Sequence, residues 1–270
     1  MDAYAALLDD LIAEEHALDE MVERLDDESW TRPTPAAGWT VRDQLAHLAA
    51  TEEWAQLAAA DPDEFRRQLS DYIGDAERRD AEMRSGRLGR HPPDGTEDTA
   101  WALAWWQTGR ASLIDRLRAL DARDRLPWFG PDMSAMSFAT ARLMETWAHG
   151  EDVADALGIL RAPTVRLRHI ADLGIRTRSH SYASRGMTVP DDPIRVDLAA
   201  PDDDDLWSWG PAESPDSILG PALDFCLVVT QRCHPADTDL TITGEAATEW
   251  MGIAQAFAGP PTGPRPPRAT

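Results

Sequence analysis

Phe138-Ala-Thr-Ala-Arg-Leu-Met-Glu-Thr-Trp-Ala-His-Gly-Glu-Asp-Val-Ala-Asp-Ala-Leu157 contains no proline, and its one glycine is Gly150. At 3.6 residues per turn it reads as a helix of about five turns. Glu145, His149 and Asp152 recur at i, i+4 and i+7, so they share one face. Leu143, Trp147 and Ala154 lie elsewhere around the helix, where they can meet apolar neighbours. A carboxylate and an imidazole one turn apart, both directed inward, are what a helical bundle uses to hold a metal. Two ligands do not make a site, and His47 is the candidate for the third. The small residues Ala141, Ala148 and Ala156 flank the polar ones and suit a face packed close to other helices. The competing reading is a solvated face, with Arg142 pairing Glu145 at the surface and His47 an ordinary structural histidine.

On either side of this stretch the chain continues in helical patterns. Residues 3–26 place Leu7, Leu8, Leu11, Ile12, Leu18, Met21, Val22 and Leu25 at helical spacing among acidic residues, an amphipathic first helix. Pro33, Pro35 and Gly38 break the chain, Thr40 is an N-cap, and Val41 to Ala60 follows as a second helix with a core stripe of Val41, Leu45 and Leu48. A third, charged helix is expected from Pro62 to about Met83. A Gly/Pro-rich loop follows over 85–97, then a helix from Ala100 to Leu120 capped by Thr99. Residues 127–133 read as a turn carrying two large aromatics, and Gly158 as the glycine that ends the organising helix.

After Pro163 a helical stretch runs to about Ser184, interrupted by arginines 166, 168, 176, 178 and 185. The period then changes. Ile194 to Leu198 alternates as a strand does, Leu206-Trp-Ser-Trp is a second strand, and Leu240-Thr-Ile-Thr a third. An apolar helix over 220–233 and a last helix over 246–258 complete the order β-β-α-β-α. The expected organisation is a metal-binding four-helix bundle over 1–162, a helical connector over 163–185, a small α/β domain over 186–258 and a disordered tail over 259–270.

Composition narrows the function. The 270 residues carry 48 acids against 26 bases, a formal charge of −22. That excess repels phosphate backbones and anionic lipid, so nucleic acid and membranes are not expected partners. Every base is an arginine, which removes Schiff-base and P-loop lysine chemistry. Two cysteines are too few for a disulfide framework. The acidic N-terminus is unlike a signal peptide, and no apolar run approaches the roughly 20 residues of a membrane span. The expectation is a soluble, cytoplasmic protein.

Two histidines and one glutamate would give a divalent cation three ligands and leave positions open, the mark of a catalytic rather than a structural site. Zinc fits this donor set best; nickel, manganese and iron stay open. Asp152 is better placed to accept an imidazole N–H than to be a fourth ligand. Cys226 and Cys233 lie at i, i+7 on one apolar helix, either core cysteines or half of a second metal site. Arg232 closes the same apolar run and needs an anion there, unless it serves only the helix dipole.

Gly38-Trp-Thr-Val-Arg-Asp-Gln-Leu-Ala-His47, followed about a hundred residues later by Glu145-Thr-Trp-Ala-His149-Gly-Glu-Asp152, resembles the DinB-like metal-binding superfamily, and within it the mycothiol-dependent maleylpyruvate isomerase family. Trp207-Ser-Trp-Gly210, the run from Gly220 to Arg232, and Gly244-Glu245 are similar to that family's small C-terminal domain. The resemblance covers nearly the whole chain. It implies a DinB-like four-helix bundle, a divalent metal on His47, Glu145 and His149, and mycothiol as a thiol cofactor whose sulfur approaches the metal. It also implies that Arg232 serves the active site and the thiol. The arginine-rich segment 163–185 departs from the pattern, so the isomerase's substrate does not carry over. The resulting expectation is a metal-dependent isomerase or S-transferase acting on a small substrate. The alternatives are a hydrolase using metal-bound water, or a protein that binds metal or a small ligand without turnover.

Overall fold

The computed structural model describes residues 2–74, 87–88, 90, 101–202 and 205–268. The chain divides into two compact units, Met1–Arg161 and Ala162–Thr270. Among the described residues no helix is long and apolar enough to cross a membrane.

The first unit is built on long helices. α1 (Ala3–Val22) is followed by the single turn α2 (Asp27–Trp30), then α3 (Val41–Ala60), α4 (Pro62–Gly74), α5 (Trp101–Arg118) and α6 (Ala135–Leu157). The α3 start is a capping box, in which Thr40 Oγ1 accepts from the Asp43 N–H while Asp43 accepts from the Thr40 N–H. Two of the donors left unpaired at a helix start are thereby satisfied. α6 begins at Ser134, whose hydroxyl accepts from the Ser137 N–H. It ends at Gly158, left-handed at φ +70°, where the missing Cβ lets the chain turn out of the helix. α3 packs on α5 and α6, and α1 packs on α6 and α5. One core cluster joins Leu18 and Val22 of α1, Val41, Leu45, Ala46, Leu48, Ala49 and Ala50 of α3, Ala102, Trp105 and Trp106 of α5, and Val153 of α6. Alanines on α3 thus share one cluster with large indoles on α5, the small-against-large packing that fills an interior without voids.

Several details differ from the sequence reading. The turn at 127–133 lies inside a two-stranded antiparallel hairpin, β1 (Arg125–Leu126) with β2 (Met133–Ser134). Its aromatics are held by ring contacts, Trp128 to Phe138 at 5.0 Å and to Phe65 at 6.0 Å, and Phe129 to Trp54 at 5.4 Å. Arg142 is buried rather than at the surface, and it pairs with Glu52 of α3. The described part of the charged helix ends at Gly74; 75–83, the Thr99 cap and most of the 85–97 loop lie outside the described residues.

The second unit opens with α7 (Leu167–Arg176) and α8 (Arg178–Ala183), where the sequence suggests one continuous helix. The break falls at Thr177, whose hydroxyl bonds back to the carbonyls of Leu173 and Gly174. The four-stranded sheet has the order β4-β3-β5-β6, with β3 (Ile194–Ala199), β4 (Leu206–Trp209), β5 (Asp216–Pro221) and β6 (Thr241–Thr243). β3 and β5 are parallel; the two outer pairings are antiparallel. β5 is absent from the sequence reading, which assigns its end to the following helix; that helix, α9, spans only Ala222–Val229. The last helix, α10 (Glu245–Ile253), is also shorter than read.

α7 packs on α9 and α8 on α10, so the segment 163–185, read as a connector, is built into this unit. A Cβ on Gly174 would meet Val229 at 2.8 Å, so that contact requires glycine. Residues 259–268 carry no helix or strand, yet they are tied down where a disordered tail is expected. Gln231 Nε2 donates to the Thr262 carbonyl at 3.0 Å, Arg265 Nη1 to the Arg232 carbonyl at 2.9 Å, and the Arg268 N–H to Asp237 at 2.8 Å.

Candidate metal centre

His47 stands on α3, and Glu145 and His149 stand one turn apart on α6; the packing of α3 on α6 brings the three together. One donor atom from each lies within 4.8 Å of the other two. The imidazole rings are 4.7 Å apart between centroids. Glu145 Oε2 is 3.2 Å from His149 Nε2. His149 is buried, while His47 and Glu145 are half-buried, so the group is partly exposed to solvent.

The loop before α3 closes over the histidines. Pro33 bridges to Thr40, the Thr34 N–H donates to the Trp39 carbonyl at 2.8 Å, and Gly38 between them sits at φ +82°, a conformation that disfavours any side chain. The turn lays the Trp39 indole 5.2 Å from the His47 ring and nearly parallel to His149, at 6.0 Å and 13°.

Gln44, one turn before His47 on α3, is fully buried and places Oε1 2.5 Å from His149 Nδ1. Its amide orientation is set by its other end, where Nε2 donates to Thr34 Oγ1 at 2.8 Å and the Thr34 hydroxyl donates to the Trp39 carbonyl at 3.0 Å. Oε1 therefore faces the imidazole as an acceptor, and Nδ1 carries the proton. Nε2 is then left pointing at a carboxylate oxygen. Two lone-pair donors at this separation repel unless a cation, either a proton or a metal ion, lies between them. The third donor, His47, favours a metal ion.

Glu145 is poised to act as an anion. Burial alone would raise its pKa, but with a proton between it and His149 Nε2, the hydrogen bond and the positive charge of His149, His47 and Arg142 outweigh that and bring it down to about 2. A metal ion in the proton's place would supply positive charge in the same direction.

The remaining sequence candidates are placed as follows. Asp152 is buried on α6, one turn past His149. Because Gln44 holds His149 Nδ1, Asp152 is not the acceptor for that nitrogen. Arg232 belongs to the second unit. It follows Gln231, a non-glycine residue at φ +60°, and its Nη1 donates to the Thr230 carbonyl at 2.7 Å. Asp224 and Asp237, its acidic neighbours in the sequence, accept main-chain N–H groups from Asp239 and Arg268. Cys226 and Cys233 are buried and free, and burial pushes both thiols up. Neither has the electropositive, exposed setting of a reactive cysteine. Gln44, Thr34 and Trp39 are the site residues that sequence reasoning does not assign. The available signal is the position of Gln44 one turn from His47.

The profile of the mycothiol maleylpyruvate isomerase N-terminal domain matches residues 11–154. Uncharacterised proteins from two strains of Mycobacterium tuberculosis are each 42% identical over 261 residues, covering 93% of this chain and 95% of their own. The crystal structure of the mycothiol-dependent maleylpyruvate isomerase aligns with a TM-score of 0.56 over 88% of this chain and 92% of its own. A histidine-to-alanine mutant of that enzyme aligns with a TM-score of 0.57 at the same coverage. Both structures are 15% identical to this chain, so the likeness is one of fold. With its N-terminal domain profile spanning more than half the sequence, the chain belongs to the mycothiol maleylpyruvate isomerase family.

Proposed function

We propose that the protein is a metal-dependent enzyme that uses mycothiol to isomerise, or to transfer sulfur to, a small substrate. His47, Glu145 and His149 would hold the metal, and zinc suits two imidazoles and a carboxylate best. The observation that carries this reading is the meeting of His149 Nε2 and Glu145 Oε2 at 3.2 Å, with Nδ1 already committed to Gln44. The donor set fits a divalent ion and leaves positions for another ligand.

When bound, such an ion supplies the Lewis acidity that turns a thiol with an ordinary pKa near 8.5 into a thiolate at neutral pH. The thiol has to be borrowed, because both of the chain's own cysteines are buried with raised pKa values. Glu145 stays ionised at neutral pH and helps neutralise the ion. Trp39 packs against both imidazoles. With His149 Nδ1 held by Gln44, Asp152 would act on the ion through its buried negative charge without ligating it, and Arg232 would grip an anionic group of thiol or substrate through its planar fork.

The test is calorimetric titration of the zinc-loaded protein with mycothiol, beside elemental analysis. The expected result is one metal per chain, thiol binding that depends on it, and loss of both in His149→Ala. Undiminished metal in His149→Ala would overturn the ligand assignment. Turnover of substrate by the loaded protein without any thiol would replace the reading with hydrolysis by metal-bound water.

A further inference from the structure

Gln44 does not ligate, is not titratable, and is buried completely between α3 and α6. Its two ends do different work. Nε2 is held by Thr34, and Thr34 by the Trp39 carbonyl, so the loop that carries the indole also fixes the direction of the amide. Oε1 is 2.5 Å from His149 Nδ1. Were the amide reversed, its N–H would face Nδ1, the imidazole proton would be driven to Nε2, and the nitrogen facing Glu145 would lose its lone pair for a metal. Two routes therefore lead from the same loop to the same ring, the Trp39 indole lying over its face and the Trp39 carbonyl acting through Thr34 and Gln44.

We propose that Gln44 is a positioning residue that holds His149 as its Nδ1–H tautomer, with Thr34 and Trp39 as the gauge that sets the amide's direction. The inference rests on the metal reading above. It adds that affinity for the ion depends on a hydrogen-bond relay running back into the loop before α3. Such partners of a ligating histidine are worth roughly 10–100-fold in metal affinity.

The experiment measures zinc affinity by competition with a chelator for wild type, Gln44→Met, Gln44→Glu and Thr34→Val, together with the proton NMR signal of ligated imidazole N–H groups in the zinc-loaded proteins. Gln44→Met keeps shape and loses the acceptor; Gln44→Glu keeps the acceptor. Zinc affinity is expected to fall about 10–100-fold in Gln44→Met and to stay within a few-fold of wild type in Gln44→Glu. The exchange-protected Nδ1–H signal of His149 is expected in wild type and Gln44→Glu and lost in Gln44→Met. Thr34→Val, at the half-buried far end of the relay, should weaken zinc in the same direction without touching either helix core. Unchanged zinc affinity in Gln44→Met, or a Gln44→Glu variant as weak as Gln44→Met, would overturn the role of Gln44 while leaving the metal site standing. A wild-type protein that takes up no zinc would overturn both.

Discussion

Arg142 Nη2 lies 2.9 Å from Glu52 Oε1, and neither side chain reaches solvent. The pair joins α6 to α3 behind the candidate metal centre, with a further bond from Arg142 to Thr51 Oγ1 at 3.0 Å. Removing one partner strands the other as a buried charge, which costs about 3–5 kcal/mol. Arg142→Met should lower urea-unfolding stability by that amount. The double variant Arg142→Met with Glu52→Leu should recover most of it, because apolar replacements of a buried pair are often neutral. A double variant no more stable than the single one would show that the pair is worth more than its desolvation.

Glu15, buried on α1, makes stability depend on pH. Burial first, and then the charge of Glu52, raises its pKa from 4.5 to about 8. The folded chain therefore keeps a proton that the unfolded chain has lost over this interval. Stability from this group is complete below about pH 4.5, falls as pH rises toward about 8, and levels off above that. At about 1.4 kcal/mol per unit, the difference is on the order of a few kcal/mol. Glu15→Gln should flatten this part of the profile and be relatively more stable at pH 8 than at pH 5, as read by urea midpoints. Parallel profiles for the two proteins would contradict the assignment.

Asp152 should tune the metal centre without entering it. Asp152→Ala is expected to weaken zinc binding roughly 10–100-fold while leaving one site per chain. An Asp152 oxygen directly on zinc in a crystal of the loaded protein would refute this.

Arg232 separates gripping from scaffolding. Arg232→Met should keep metal content and melting temperature near wild type while mycothiol or substrate binding falls about ten- to a hundredfold, the worth of a hydrogen bond to a charged group. Loss of melting temperature with binding reduced only in proportion would assign Arg232 to the fold instead.

Local signals were legible where the cause is local. α3 runs from Val41 to Ala60 as its Thr40 cap and apolar stripe demand, and α6 ends at Gly158. The histidine–glutamate face was readable because 3.6-residue periodicity needs only one helix. What escaped depends on distant partners. β5 is a strand by virtue of its parallel pairing with β3 and its pairing with β6; alone, Asp216-Ser-Ile-Leu-Gly-Pro221 has little alternation and runs into an apolar helix. Arg142 looks like a surface residue three positions from Glu145, until Glu52, ninety residues away, meets it in the core. Gln44 finds its imidazole 105 residues along the chain, a contact no spacing rule contains.

The burial of Cys226 and Cys233 separates the protein's durability from its chemistry. A thiol that stays protonated inside a core is a poor target for peroxide or alkylating reagents, so these two cysteines are spared by oxidants that would consume a diffusible thiol cofactor. On the proposed reading, oxidative stress would act on this enzyme first through its reagent pool, while the chain's own thiols stay reduced in the core.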